Sequence, residues 1–296
     1  MKRARLIYNP SSGREIVRRK LPDILDLLES AGYETSCYAT RGENDAAEEA
    51  ERAVARGFDV IMAAGGDGTI YEVVNGMAEK SARPALGIIP CGTSNDFARA
   101  LGIPRSINRS CRIITSGKTQ RIDLGRINDR YFINIAGGGS LTDLTYEVPS
   151  KLKTLIGQLA YYVKGLEKLP SLHPIHVRIE TRNQVVIDEE IMIFLIANSH
   201  SVGGFDRLAP KADLSDGKLD CIVVKKTSLP EFIRLATAAV RGEHLKDPNI
   251  LYFQTDYLKA TAAGDKKVQL NLDGELGGQL PCVCRALPGH IEVFVP

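Results

Sequence analysis

Asp59-Val60-Ile61-Met62-Ala63-Ala64-Gly65-Gly66-Asp67-Gly68-Thr69 decides the fold. The unbroken apolar run from Val60 reads as a strand buried on both faces, because a strand with one wet face would alternate. The glycines that follow make a strand-to-helix turn. Such a turn lets backbone N–H groups approach phosphate oxygens at a helix N-terminus; Asp67 can hold a Mg²⁺ water shell and Thr69 can add a hydrogen bond. An ordinary tight turn in a doubly wound sheet would use the same residues, so the turn alone does not separate a site from a bend.

Working outward, strand-like and helix-like segments alternate on both sides. Arg3 to Tyr8 predicts a strand, Asn9 to Gly13 a loop, and Arg14 to Ala31 a helix with an apolar stripe of Ile16, Ile24, Leu27 and Leu28 that stops at Gly32. Tyr33 to Thr40 predicts a second strand. Asn44 or Asp45 is placed to cap the helix that ends at Gly57. After Pro84 the pattern repeats: strand Ala85 to Ile89, loop Pro90 to Thr93, helix Ser94 to Leu101. This is an α/β doubly wound, nucleotide-binding pattern.

From about Gln120 the texture changes to period-two runs (Ile175, Val177, Ile179; Val268, Leu270, Leu272; Ile291, Val293, Val295), which predict a mainly antiparallel, β-rich second domain. Two helices are expected there, one near Ser150 to Lys168 and one opening at Ser228, with Ser228 and Glu231 spaced for a capping box. The boundary falls near Asp123, giving domains 1–123 and 124–296.

A chain of 296 residues is long enough for two domains. Its 44% apolar and 25% charged residues exclude disorder and coiled coil as descriptions of the whole. A formal charge of +2 supplies no global field for a nucleic-acid backbone, so any anion must be held locally. No apolar stretch approaches the roughly 20 residues of a membrane span. The basic start breaks at Asn9-Pro10 before a secretory core forms, and cytoplasm is the expected compartment. The six cysteines, with no Cys-x-x-Cys pair, read as buried hydrophobes; Cys282 and Cys284 share one strand face. The histidines lack zinc-ligand spacing.

Two common nucleotide motifs fail. Arg112 stands where a Gly-x-x-x-x-Gly-Lys-Thr loop ending at Gly117-Lys118-Thr119 needs its first glycine, and Tyr71 stands where a dinucleotide fingerprint needs its third. Three loops remain: Asn9-Pro10-Ser11-Ser12-Gly13, Gly65 to Thr69, and Pro90-Cys91-Gly92-Thr93-Ser94-Asn95-Asp96. All three leave the carboxyl ends of strands, where such sheets bind ligands. Three converging loops favour a phosphate site over a bend.

These motifs, with Glu72 to Gly76, Gly92 to Pro104, Val202 to Phe205, Asp216-Gly217 and Asn271 to Glu275, give the chain a resemblance over nearly its whole length. It resembles the soluble bacterial diacylglycerol kinases, a family related to sphingosine kinases and more distantly to NAD kinases. Tyr71 departs from the family's frequent Asn. The resemblance implies that Asn9, Pro10, Ser11, Ser12, Gly13, Thr40, Gly66, Asp67, Gly68, Thr69, Ile70, Tyr71, Glu72 and Thr93 contact ATP. It implies that Asp67, Asp96 and Asp123 organise a catalytic Mg²⁺ through bound waters; helix capping by Asp96 and an exposed strand-end charge at Asp123 are the plainer readings. It also implies a structural Mg²⁺ on the Asp216 side chain and the backbone oxygens of Asp213 and Lys218. Without the family, Asp213 to Lys218 is a hairpin turn, and it does not fit the calcium-loop template, which would need a ligand at Ala212.

Asp273-Gly274-Glu275 follows an apolar strand and sets two carboxylates at the rim of the second domain. A carboxylate suits the proton-acceptor role in phosphoryl transfer to an alcohol; by resemblance both are candidates, with Asp273 favoured and Glu275 as base or orienting partner. A hairpin turn is again the plainer reading. The expected reaction is ATP-dependent phosphorylation of diacylglycerol to phosphatidate, by a peripheral visitor to the inner membrane surface. Lys151 to Lys168, with Leu152, Leu155, Ile156, Leu159, Val163 and Leu166 on one stripe, is the candidate membrane contact, though core or dimer contact is the commoner use of such a stripe. The Gly137-Gly138-Gly139 loop could let a lipid pass close to the backbone, or bend the sheet. The family suggests a homodimer. Another lipid, or NAD, is the rival acceptor; a non-enzymatic nucleotide or lipid sensor is the rival class, against which the intact acids weigh.

Overall fold

The computed structural model describes residues 1–13, 15–80, 82–139, 173–182, 184–201, 207–264 and 267–296. The expected helix at 150–168 and the Val202 to Phe205 motif lie outside them. The chain divides into two compact units, Met1–Ile122 with Gly289–Pro296, and Asp123–Pro288.

In the first unit four parallel strands stand in the order β2 (Tyr33–Ala39), β1 (Lys2–Tyr8), β3 (Val60–Gly65) and β4 (Ala85–Pro90). β3 is buried along its whole length, as its unbroken apolar run requires. The helices are α1 (Ile16–Ser30), α2 (Asp45–Ala55), α3 (Asp67–Met77), α4 (Asp96–Ala100) and α5 (Ile107–Ser116). α1 buries Val17, Ile24 and Leu28, whereas Ile16 is exposed, so its stripe begins one residue later than the spacing suggests. It stops where Gly32 takes φ +85° and donates to the Glu29 carbonyl at 2.9 Å.

The second unit is mainly antiparallel. Its strands are β6 (Arg130–Phe132), β7 (Ile135–Gly139), β8 (Ile175–Thr181), β9 (Val185–Ala197), β10 (Leu219–Lys225), β11 (Ile250–Thr255), β12 (Tyr257–Ala262), β13 (Gln269–Leu272) and β14 (Glu275–Gln279). β5 (Thr119–Ile127) and β15 (Cys282–Phe294) each carry the chain across the division. β9 is the hub, paired with β7 and β8 along one edge and β10 along the other. Helix α6 (Leu229–Arg241) buries Phe232, Leu235 and Ala239.

The last strand joins the first unit: Val293 pairs in parallel with Leu86, and Gly289–Pro296 fall in one compact unit with Met1–Ile122. Three expectations need correction. Asn44 and Ser228 make no side-chain cap bond, and Asp45, the alternative to Asn44, accepts instead from the Tyr38 hydroxyl and the Arg41 N–H. Glu231, the other half of the expected capping box, instead pairs with Arg234, because a charge-assisted bond outcompetes one to a neutral amide. Gly137-Gly138-Gly139 is strand, not loop. A Cβ on Gly138 would lie 2.6 Å from the Phe194 ring, so the missing side chain makes room for packing.

Candidate active site

The three loops predicted to converge do so at the carboxyl end of the parallel sheet. The strand ladder continues past the strand ends: Asn9 N–H donates to Ala64 O at 3.0 Å, Thr40 N–H to Tyr8 O at 2.9 Å and Cys91 N–H to Gly65 O at 2.7 Å. A Cβ on Gly92 would lie 2.5 Å from Gly66 Cα, and one on Gly13 2.5 Å from the Cys91 oxygen. Glycine is therefore required at both positions for the backbones to meet. Gly65 likewise makes room for Thr69, whose Oγ1 lies 2.4 Å from where a Cβ would stand.

Each loop is braced from within. Asn9 Oδ1 accepts from the Ser11 N–H at 3.0 Å and the Ser11 hydroxyl at 2.8 Å, an Asx turn. Asn95, in the left-handed region at φ +52°, takes the Gly92 N–H at 2.8 Å and returns its amide to the Gly92 oxygen at 2.7 Å. Arg105 donates to the Thr93 and Ser94 oxygens at 2.6 and 3.1 Å. Asn95 belongs to the loop singled out in the sequence, whereas Arg105, 12 and 11 residues beyond the carbonyls it holds, carries no signal there.

Asp67 opens α3 and Asp96 opens α4. Burial pushes the Asp67 carboxyl above its ordinary value, and the neighbouring Asp96 adds to this; main-chain N–H groups, of which that of Phe97 stands at 3.4 Å, act against it. Asp96 is buried and pairs with Arg99. Two desolvated acids side by side are a donor set that suits a hydrated divalent cation.

Three of the expected ATP contacts also make contacts within the fold. Ile70 is fully buried, with its N–H bonded to the Gly66 oxygen at 3.2 Å, and the Tyr71 side chain is buried in the core. Glu72 accepts the Ala46 N–H at 3.1 Å, capping α2 in place of Asn44. Gly66 to Thr69 form the turn at the start of α3, where the first main-chain N–H groups of the helix have no intrahelical partner.

In the second unit Asp123 is buried, and its Oδ2 accepts the Gly217 N–H at 2.6 Å. It therefore lies against the Asp213–Lys218 turn. Within that turn Asp213 Oδ1 holds the Ser215 N–H at 2.9 Å and Asp216 Oδ1 holds the Lys218 N–H at 2.9 Å. No cluster of three or more His, Cys, Asp or Glu side chains suited to a metal occurs among the described residues. The turn still offers the hard oxygens that Mg²⁺ accepts, one carboxylate and main-chain carbonyls.

Asp273 adopts φ +52° and its carboxylate is enclosed by main-chain donors: Ile133 N–H to Oδ2 at 2.6 Å, Asn134 and Ile135 N–H to Oδ1 at 2.9 Å each. Glu275 opens β14 and is exposed. The two acids of Asp-Gly-Glu are thus unlike: one is committed to the backbone and the other faces solvent. Burial pushes the Cys282 thiol up to about 12, so it stays an unreactive core group.

Residues 3–127 match the model of the diacylglycerol kinase catalytic domain, and residues 144–295 that of the YegS C-terminal NAD kinase beta sandwich-like domain. A diacylglycerol kinase of Bacillus subtilis (strain 168) is 54% identical over 297 residues, covering 100% of this chain and 97% of its own. The chain belongs to the diacylglycerol kinase family. A second member, the diacylglycerol kinase of Staphylococcus haemolyticus (strain JCSC1435), is 50% identical over 99% of this chain and 88% of its own. Among solved structures, a diacylglycerol kinase from Bacillus anthracis str. Sterne shares the fold with a TM-score of 0.78, at 24% identity over 100% of this chain and 97% of its own. An NAD kinase from Archaeoglobus fulgidus, crystallised with ATP, shares it at TM-score 0.52 and 13% identity, over 99% and 93% of the two chains. The family makes this chain a kinase, with an α/β first domain and a β-sandwich-like second one.

Proposed function

We propose that this protein transfers the γ-phosphoryl group of ATP to the free hydroxyl of diacylglycerol, giving phosphatidate and ADP. The observation that carries the phosphate-binding part is the backbone-to-backbone meeting of the Gly66 and Gly92 turns beside the Asn9–Gly13 loop. Backbone N–H groups at a helix start are suited to phosphate oxygens. The names of the relatives support the acceptor.

In this reading Asn9 to Gly13, Thr40, Gly66 to Thr69 and Thr93 hold the triphosphate. Asp67 and Asp96 would hold a hydrated Mg²⁺, which when bound neutralises charge on the phosphates. Asp216, with the Asp213 and Lys218 carbonyls, would hold a second Mg²⁺ that stiffens the turn beside Asp123. The acceptor oxygen attacks the γ-phosphorus, the bond to the β-phosphate oxygen breaks, and the hydroxyl proton passes to a carboxylate. That carboxylate is Glu275. Asp273 already accepts from main-chain amides with both oxygens, so its role is to hold the turn. In this reading the lipid is met at the membrane surface; no helix among the described residues is long and apolar enough to cross a bilayer.

The test is incubation with γ-labelled ATP and Mg²⁺ against diacylglycerol micelles, sphingosine, phosphatidylglycerol and NAD in parallel. Label is expected chiefly in phosphatidate. Label chiefly in another acceptor overturns the substrate, and no label in any of them overturns the reading as a lipid or NAD kinase.

A further inference from the structure

Where β9 ends, an apolar strand gives way to Asn198-Ser199-His200-Ser201. Asn198 and Ser199 are 1% and 0% exposed. The Asn198 amide donates twice, to the Asp123 oxygen at 2.9 Å and to the Ile133 oxygen at 3.0 Å. Its own N–H reaches the Asn134 oxygen at 2.8 Å, and the Ser199 hydroxyl reaches Asn134 Oδ1 at 3.0 Å.

The two carbonyls held by that one amide belong to different parts of the second unit. Asp123 leads to the acidic turn: its N–H donates to Leu214 O at 2.6 Å and its Oδ2 accepts from Gly217. Ile133 leads to the Asp-Gly-Glu turn, because the N–H groups of Ile133, Asn134 and Ile135 all converge on Asp273. The orientation of the amide is set by these bonds, since flipping it would press its oxygen against two carbonyl oxygens. Asn198 Oδ1 is buried and receives no hydrogen bond from the described residues.

We propose that Asn198 is a positioning residue that locks the Asp123 strand and the Asp273-Gly274-Glu275 turn into one register. The proposal rests on the phosphotransfer reading for its kinetic consequence, though not for its structural one. Asn198 touches no reacting atom in this account. It fixes the distance between the acid beside the 213–218 turn and the turn that presents the base, and misplacement of a reacting group by about 1 Å costs on the order of 10²-fold in rate.

Asn198→Asp keeps the shape and replaces both donors with acceptors aimed at two carbonyls. The expected result is a fall in kcat of about 10-fold or more with KM for ATP within about 3-fold of wild type, since the ATP loops are untouched. A second readout needs neither ATP nor metal: amide hydrogen exchange at Gly217 and at Ile133 to Ile135 accelerates together in Asn198→Asp. In Ser199→Ala, which removes only the bonds to Asn134 and Ser201, the 133–135 amides speed up and Gly217 does not. If Asn198→Asp fails to fold, Asn198→Ser, which retains one donor, carries the same measurements. Wild-type exchange at Gly217 in an Asn198 variant overturns the proposal. So does faster exchange throughout the second unit with kcat per folded molecule unchanged, which would make Asn198 a stability residue only. A wild-type enzyme that labels no diacylglycerol removes the phosphotransfer reading, and the exchange pattern then still decides whether Asn198 couples the two turns.

Discussion

The dipeptide Asp-Gly stands at two strand ends of this chain, at Asp67-Gly68 and at Asp273-Gly274, and the two sites treat their carboxylates in opposite ways. Asp67 is desolvated beside another acid, and burial and Asp96 outweigh its main-chain bonds and hold its carboxyl above the ordinary value. Asp273 sits in the left-handed region and accepts three main-chain N–H groups. The first is a charge held at a cost that a cation would relieve. The second is a charge already spent on holding the backbone. A third copy, Asp216-Gly217, is intermediate, with one carboxylate oxygen on the Lys218 N–H.

The largest effect expected from this contrast concerns the partner that Asp273 leaves to act. Glu275→Gln should lower kcat by about 10² to 10⁴-fold, the range for loss of a general base. Its melting temperature should stay at the wild-type value, because the side chain is exposed. Near-wild-type turnover would return the base role to Asp273 and erase the contrast.

Asp67→Asn should cost on the order of 10²-fold in kcat, a typical loss for one electrostatic stabiliser, while thermal stability holds or rises. The sign follows from the raised carboxyl: ionisation disfavours the folded state, so the neutral amide is the more stable form at neutral pH. The advantage should shrink as pH falls through the raised Asp67 value and the wild-type group protonates. A melting temperature clearly below wild type at pH 7 would show that the Asp67 charge is satisfied as well as that of Asp273.

Asp273→Ala should behave in the reverse manner, losing about 2–4 kcal/mol of stability in urea unfolding because amide donors lose their charged acceptor. Asp273→Asn should lose less, since Asn tolerates φ > 0 and keeps one acceptor oxygen. Gly92→Ala tests the packing of the first site. Its Cβ would meet the Gly66 backbone, so about 1–3 kcal/mol of destabilisation and a raised KM for ATP are expected.

The smallest effect is reserved for Asp216→Asn. In chelator the melting curve should be within about 0.5 kcal/mol of wild type, because Asn retains an acceptor for Lys218. The upward shift produced by added Mg²⁺ should disappear. An equal Mg²⁺ shift in both proteins would place any ion elsewhere.

Much of the first unit was legible because its signals are contiguous. The run Val60 to Ala64 is buried on both faces by its own composition, and the Gly65 to Thr69 turn needs no distant partner to be recognised. What Ile70, Tyr71 and Glu72 pack against was not legible, because proximity in sequence does not say which side of a helix a residue occupies. The caps failed for a related reason. Asn44 and Ser228 have the right chemistry, but Glu72 reaches α2 from 26 residues away and Arg234 draws off Glu231. Asn198 was invisible, since its meaning lies in carbonyls 75 and 65 residues distant.

By itself, then, the sequence determined the α/β character of the first domain, the antiparallel character of the second, the positions of the glycine turns and the identity of the acids. These follow from local periodicity and from the conformational freedom of glycine, which act over a few residues. Only the tertiary structure decided which acid is desolvated and which is spent, and where the last eight residues belong. A carboxylate's role is set by the donors and charges that surround it in space, and folding draws those from distant parts of the chain.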